Sequence, residues 1–327
     1  MRSFAIQLIK RKISMRISLA QAVSALQSGQ VIAVPTETVY GLAASLNQPA
    51  AIEQIFALKG RPRANPLIIH IGDLADIEQY VTEYPPGFEA LVQAFWPGPL
   101  TCILPVHASR VPALVRAGLP TAGFRMPALD LTRQLLRSTG PLVMPSANLS
   151  GRPSATRPQH VEEDFGADFP VLDGGVCTKG VESTILLYQE PEWVIVRLGA
   201  LAPEQFQPVL GYQPQCVQKA QEAQPLCPGQ LFRHYAPRAR LFLGDSAALE
   251  EAFFVLGFKE RNYPPGKRLI VMGSLFQPEE VAENLYQALR QLDQEGALTA
   301  WVDMNFPREG LWQTIAERLM RAGESLS

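Results

Sequence analysis

Between residues 240 and 322, short apolar runs alternate with longer amphipathic ones. Arg240–Leu243, Arg268–Met272 and Leu298–Val302 read as strands, and the stretches near 246–256, 278–293 and 309–322 read as helices. Strands separated by helices of that length cannot pair as hairpins. They close as parallel neighbours, with the crossover helices packed on the faces of the sheet. Residues 238–327 are therefore expected to form a small, mostly parallel Rossmann-like βαβαβα domain.

The preceding sequence mixes strands and helices without that alternation. Ser18 with Gln21 forms a capping box, Leu19, Ala22, Val23 and Leu26 recur at helical spacing, and Gly29 ends the helix. Val31–Val34 follows as a strand cut by Pro35, and Pro49 opens a helix that stops at Gly60. Helices are expected near 73–82 and 87–95. Further strands are expected at 67–71, 100–106, 122–126, 142–144, 181–187 and 193–198. Residues 16–202 thus predict one α/β domain with a mixed sheet. Residues 203–237 are rich in Gln and Pro, show little periodicity, and read as a linker able to fold back as a lid. Residues 1–15 read as a basic tail, with Met15 as an alternative start to Met1. A chain of 327 residues suits two domains.

With 47% hydrophobic and 18% charged residues the chain is expected to fold throughout, and its net charge of −2 argues against a general nucleic-acid coat. Cys102, Cys177, Cys216 and Cys227 show no zinc-ligand spacing, and such sparse cysteine suits a reducing, cytoplasmic setting. No apolar run approaches the ~20 residues a membrane helix needs.

Neither GxxxxGK[ST] nor GxGxxG is present. Polar residues gather instead in turns beside apolar strands: Pro35–Leu42, Lys59–His70, Leu119–Pro127, Pro145–Ser154, Lys179–Ile185, Arg197–Gly199 and His234–Pro237. Each has a plain structural reading on its own: solvated turn cations at Lys59–Arg63, a core histidine at His70, an ion-paired Arg125, helix caps at Ser146 and Asn148. Together, cations, hydroxyls and an amide at several strand ends describe a site for a small anion, because open α/β sheets place ligands there and Arg and Lys suit phosphates and carboxylates. With no Ser-His-Asp or Cys-His pattern, the chemistry expected is electrostatic positioning rather than covalent catalysis.

The segments PTETVYGL, KGRPRANPL and PSANLSG, in this order, resemble those of the YrdC-like threonylcarbamoyl-AMP synthases, and HYAP followed by the alternating run resembles the long two-domain members. The resemblance implies a twisted mixed sheet with an open ligand groove. It also implies synthesis of L-threonylcarbamoyl-AMP and pyrophosphate from L-threonine, bicarbonate or CO2 and ATP. Separate transfer proteins would then move the group onto tRNA, which this chain would touch weakly or indirectly. Carried over by motif, a catalytic tetrad falls on Lys59, Arg61, Ser146 and Asn148. Threonine contacts fall on Thr36, His70, Arg125, Met144 (often Ala in the family) and Ser183. ATP contacts fall on Arg61, Asn65, Thr121, Ser146, Ser154, Arg197 and Tyr235. Mg2+ is expected on the ATP phosphates, with no metal site of the protein's own. Two rival readings are an RNA-binding module with a basic groove and a carbamoyl-transferring maturation factor; the Cys-rich and acylphosphatase-like modules of such factors are not found in this sequence.

Overall fold

Ser18 caps the first helix as its sequence predicts: its Oγ accepts the Gln21 N–H, and the Gln21 side chain accepts the Ser18 N–H. The computed structural model describes residues 15–217 and 234–323. The first domain is built on a ten-stranded mixed sheet: β1 (Arg16–Ile17), β2 (Ile32–Val34), β3 (Gly41–Ser45), β4 (Ile68–His70), β5 (Leu100–Pro105), β6 (Thr121–Arg125), β7 (Leu142–Val143), β8 (Val171–Leu172), β9 (Thr184–Gln189) and β10 (Glu192–Arg197). Their order across the sheet is β1-β8-β2-β3-β7-β4-β6-β5-β9-β10. Helices α1 (Leu19–Gln27), α2 (Pro49–Lys59), α3 (Phe88–Phe95), α4 (Asp130–Thr139) and α5 (Pro158–Phe165) surround it, with the short α6 (Gln207–Leu210) after β10.

Several elements differ from the sequence expectation. The stretch near 73–82 holds only a 3-10 turn at Leu74–Ile77. Gly41–Ser45, of which Gly41 and Leu42 were read within a polar turn, is a strand buried at the middle of the sheet. Its first residue must be glycine: a Cβ on Gly41 would lie 2.9 Å from Met144 Cβ on the adjoining segment. Helices α4 and α5 and the two-residue strands β1 and β8 had no expectation. In the linker, Pro203–Phe206 forms a 3-10 turn, Phe206 stacks near Phe95 with ring centroids 5.0 Å apart, and the Ile195 and Val217 N–H groups bond Gln215 O and Ile195 O. Residues 203–217 thus pack on the first domain. Residues 1–14 and 218–233 lie outside the described residues, and with them the expected tail and most of the expected lid.

The second domain carries β11 (Arg240–Leu243), α7 (Ser246–Glu251), β12 (Phe254–Phe258), β13 (Arg268–Gly273), α8 (Pro278–Gln294), β14 (Thr299–Val302) and α9 (Leu311–Gly323). All its pairings are parallel, in the order β11-β14-β12-β13. It therefore has four strands where three were expected, since the helix expected over 246–256 stops at Glu251. Phe254-Val255-Leu256-Gly257-Phe258 is an apolar run rich in strand-forming residues and without helical period, and it lies between β14 and β13, where a central parallel strand needs apolar side chains on both faces. No helix of the described residues is long and apolar enough to cross a membrane.

The domains share apolar packing: Val39 and Val181 of the first belong to the cluster of Leu285, Tyr286 and Leu289 on α8. Gly180 allows the close approach. Its φ is +68°, and a Cβ there would fall 2.2 Å from Ala282 O of α8. Beside it, Arg290 bonds Asp164 Oδ2 at 2.8 Å and Pro153 O at 2.6 Å. His160 Nδ1 accepts the Thr156 N–H at 3.1 Å, which leaves Nε2 to donate to Gln287 Oε1 at 2.7 Å. Burial, followed by the charge of Arg290, pushes the His160 pKa down to about 3.

Candidate active site

The turn after β2 is shaped by its own hydroxyl. Thr36 Oγ1 accepts the Thr38 and Val39 N–H groups and donates to Val39 O. This Ser/Thr turn needs no ligand, and it aims Val39 and Thr38 toward the ends of β4 and β6. There His70 and Arg125 stand as register partners on parallel strands. Across from them, β7 ends and the chain runs out through Met144-Pro145-Ser146-Ala147-Asn148.

These ends line one groove with about 690 Å³ of space out to its mouth, within the range of small-molecule sites. Eleven of the residues named from the sequence line it: Lys59, Arg61, His70, Arg125, Met144, Ser146, Asn148, Ser154, Ser183, Arg197 and Tyr235. Three others are not brought there. Thr36 bonds within its own turn, Asn65 lies buried behind Arg61, and Thr121 starts β6 while Arg125 ends it, about 13 Å along a strand.

Lys59 is the last residue of α2 and is buried, not a solvated turn cation. Its Nζ donates to Ser146 O at 2.5 Å and Asn148 O at 2.6 Å, tying the helix end to the loop after β7. Burial, then the charge of Arg61, holds its pKa well below the ordinary lysine value, and an anion bound beside it would favour the charged form. Arg61 bonds Pro66 O and Asn65 O, which fixes its guanidinium against the following turn. Asn148 spends its Nδ2 on Leu149 O and Arg152 O, while its Oδ1 is buried without a partner. In the same lining His234 Nε2 is likewise buried and unpartnered. Such groups are costly in a folded protein and are frequent where a ligand completes them.

At the other end, Arg125 donates from Nη2 to Glu37 Oε1 at 2.6 Å, from Nη1 to Thr38 Oγ1 at 2.9 Å and from Nε to Gly98 O at 3.3 Å. A guanidinium has five N–H groups, so each Nη keeps one beyond these bonds. Burial, then the charge of Arg125, keeps His70 well below its ordinary pKa and hence neutral. The Ser183 hydroxyl is shared between Thr101 Oγ1 at 2.8 Å and Arg197 Nη2 at 3.0 Å. The lining carries five cations (Lys59, Arg61, Arg125, Arg152, Arg197) against one carboxylate, Glu182, a balance that suits an anionic ligand. Among the described residues no group of three or more His, Cys, Asp or Glu could hold a metal ion.

Residues 24–199 match the Sua5–YciO–YrdC family profile, described as "Telomere recombination", and residues 201–323 match the Sua5 C-terminal profile, described as "Threonylcarbamoyl-AMP synthase, C-terminal domain". A Threonylcarbamoyl-AMP synthase of Bacillus subtilis (strain 168) is 36% identical over 326 residues, covering 93% of this chain and 92% of the relative. The chain belongs to the threonylcarbamoyl-AMP synthase family. A second member, from Pyrococcus abyssi (strain GE5 / Orsay), is 37% identical and covers 91% of each chain. The crystal structure of P. abyssi Sua5 complexed with L-threonine superposes with a TM-score of 0.86 at 32% identity, covering 95% of this chain and 97% of that one. The match favours an enzyme of this kind and does not favour an RNA-binding module.

Glu182, Arg152 and His234 also line the groove; they lie in segments marked from the sequence but were given no role there. Glu182 precedes Ser183 in a segment already marked, so it was within reach. Its partners were not: Ser154 Oγ donates to Oε1 at 2.6 Å, while Tyr286 OH and Arg318 Nε, more than 100 residues away, donate to Oε2 at 2.8 and 3.0 Å. Burial pushes the Glu182 pKa up, but Arg318, Arg197 and these bonds outweigh it and hold the carboxyl below its ordinary value.

Proposed function

We propose that this groove makes L-threonylcarbamoyl-AMP from L-threonine, bicarbonate or CO2 and ATP, releasing pyrophosphate, with Lys59, Arg61, Ser146 and Asn148 around the reacting phosphates. The observation that carries the reading is the pairing of two ends in one groove. One end holds the buried Lys59, the half-buried Arg61 and the unpartnered Asn148 Oδ1; the other holds Arg125, His70 and Ser183.

The outward N–H groups of Arg125 are donors for the threonine carboxylate, fixed in direction by the Glu37 pair. Ser183 and neutral His70 face the hydroxyl and amine, and Met144 bounds the side-chain pocket. Ser154, Arg197 and Tyr235 stand at the nucleotide end. The threonine amine takes up CO2 with loss of a proton, giving a carbamate. A carbamate oxygen attacks the α-phosphorus of ATP, the bond from that phosphorus to the bridging oxygen breaks, and pyrophosphate leaves. Two anions meet in this step, so fixed positive charge lowers its barrier and no enzyme nucleophile is needed. Glu182, the single carboxylate of the lining, is taken up by its own partners, so Mg2+ would enter with the ATP phosphates as part of the substrate. Transfer of the product to tRNA falls to separate proteins, and a cytoplasmic setting suits that role.

Pyrophosphate release is measured with ATP, bicarbonate and each amino acid in turn. L-threonine is expected to support turnover, L-serine less, and L-valine very little, because a site that bonds a hydroxyl leaves its polar groups unpaired when the hydroxyl is missing. Equal rates with threonine and valine would sink the assignment.

A further inference from the structure

We propose that Tyr286 and Arg318 are positioning residues, by which the second domain holds the nucleotide end of the groove in shape through Glu182. The inference rests on the reading above for what the groove binds.

Glu182 lines the groove with its carboxylate held from behind: Ser154 bonds its Oε1, and Tyr286 and Arg318 bond its Oε2. Two of these partners come from the second domain, one on α8 and one on α9. Arg318 does more. Its Nη2 donates to Leu198 O at 2.7 Å, next to the groove residue Arg197, and its guanidinium carbon lies 4.8 Å from the centre of the Tyr235 ring. Tyr235 also stacks on Tyr286, with centroids 5.4 Å apart and planes at 23°. Tyr235 has a φ of +65°, a conformation that costs a side-chain-bearing residue free energy and persists only where neighbours impose it. One arginine and one tyrosine of the second domain thus fix the Glu182 carboxylate, the Ser154 hydroxyl bonded to it, and the Tyr235 ring. Thr314 Oγ1 adds a bond to Gly199 O at 2.8 Å, holding the end of the same segment.

The threonine end is tied differently. Its bonds run from Glu37 and Thr38 to Arg125 and from Thr101 and Arg197 to Ser183, all inside the first domain. The ends of the second domain's own parallel strands, where open α/β sheets place ligands, carry polar side chains bonded to one another. There Arg261 and Tyr263 bond Asp303 at 2.7 and 2.8 Å, and Ser274 bonds Glu260 at 2.5 Å. A buried charge network like that at Glu182 adds little stability over an apolar replacement but can specify one geometry.

The test uses the full chain with Arg318→Met, Arg318→Lys, Tyr286→Phe and the double variant Glu182→Gln/Arg318→Met. KM for ATP and for L-threonine are read from pyrophosphate release, and ATP affinity from calorimetric titration without threonine. Arg318→Met is expected to weaken ATP binding about tenfold and leave the threonine KM within about twofold. Arg318→Lys should restore part of the loss. The double variant should bind ATP better than Arg318→Met, because it no longer buries a carboxylate without its counter-charge. If Arg318→Met does not fold, Tyr286→Phe decides: it keeps the stack, loses one bond to Glu182 and should bind ATP about threefold more weakly. ATP affinity unchanged in Tyr286→Phe and in every Arg318 variant that folds overturns the proposal, as does an equal rise in both KM values. A wild-type protein that binds ATP but gives no threonine-dependent pyrophosphate would refute the reaction assigned above, while the ATP titrations would still decide the role of these residues.

Discussion

Arg125 faces the groove with its guanidinium already bonded to Glu37, Nη2 to Oε1 at 2.6 Å, and Glu37 Oε2 accepts the Ala128 N–H at 3.0 Å. The carboxylate acts as a brace that sets the direction of the arginine's remaining N–H groups. Glu37→Gln keeps the shape and weakens the brace, so the threonine KM is expected to rise several-fold with ATP affinity little changed. Arg125→Ala is expected to raise the threonine KM far more and to lose about 3–5 kcal/mol of stability, since it leaves Glu37 buried without its counter-charge. Steady-state kinetics with urea unfolding of both variants checks this. A threonine KM unchanged in Arg125→Ala would remove the arginine from substrate binding.

Lys59 and Arg61 are expected to separate on stability while agreeing on activity. Either change to Ala should cut pyrophosphate release by ~10²-fold or more, about 3 kcal/mol at a transition state crowded with anionic charge. Lys59→Ala also removes the tie from α2 to the Ser146 and Asn148 carbonyls and should cost a further ~1–3 kcal/mol of stability. Arg61→Ala should melt within a few degrees of wild type. Normal turnover in both variants would exclude them from the mechanism.

Gly180→Ala is expected to disturb the seam between domains. The residue sits at φ +68°, and the new Cβ would lie 2.2 Å from Ala282 O and 2.3 Å from Glu283 Cα, so backbone must move. A loss of at least about 2 kcal/mol should follow. Gly60→Ala is the control: φ is +60° with nothing within 4 Å, so only the conformational penalty of about 1 kcal/mol applies. Equal melting temperatures for the two variants would show that the seam tolerates the extra methyl.

His160 should make the fold acid-sensitive. Its folded pKa of about 3 lies below the unfolded value near 6.5. Between those values the unfolded chain takes up a proton that the folded chain refuses. The contribution is therefore complete above about pH 6.5 and is lost as pH falls toward 3. At pH 5 the loss amounts to about 2 kcal/mol relative to pH 8. His160→Gln is expected to narrow the gap in unfolding free energy between pH 8 and pH 5 by about that amount, and an unchanged gap would place the acid sensitivity elsewhere.

Residues that carry local geometry were legible in the sequence. Ser18, Pro49, Gly60 and the period of α8 and α9 declare themselves within a few positions, because capping and amphipathicity are short-range. The groove residues were legible because they sit in compact polar turns beside strands. Thr36 was named for the same reason and does not line the groove: a threonine in a turn offers the same pattern whether it meets a ligand or its own backbone. Strand β12 was lost because a central parallel strand has no alternation to read. Tyr286 and Arg318 were invisible as site residues. On amphipathic helices they look like one more core aromatic and one more surface cation, and only the tertiary fold brings them to Glu182.

Helix α9 follows every other described element along the chain, yet its Arg318 holds Glu182 in the wall of a groove that α2 lines with Lys59. On the ribosome the first domain emerges with the Glu182 carboxylate still lacking its cation. The chain of the first domain is therefore complete before the residue that finishes its pocket, Arg318 of α9, is synthesised.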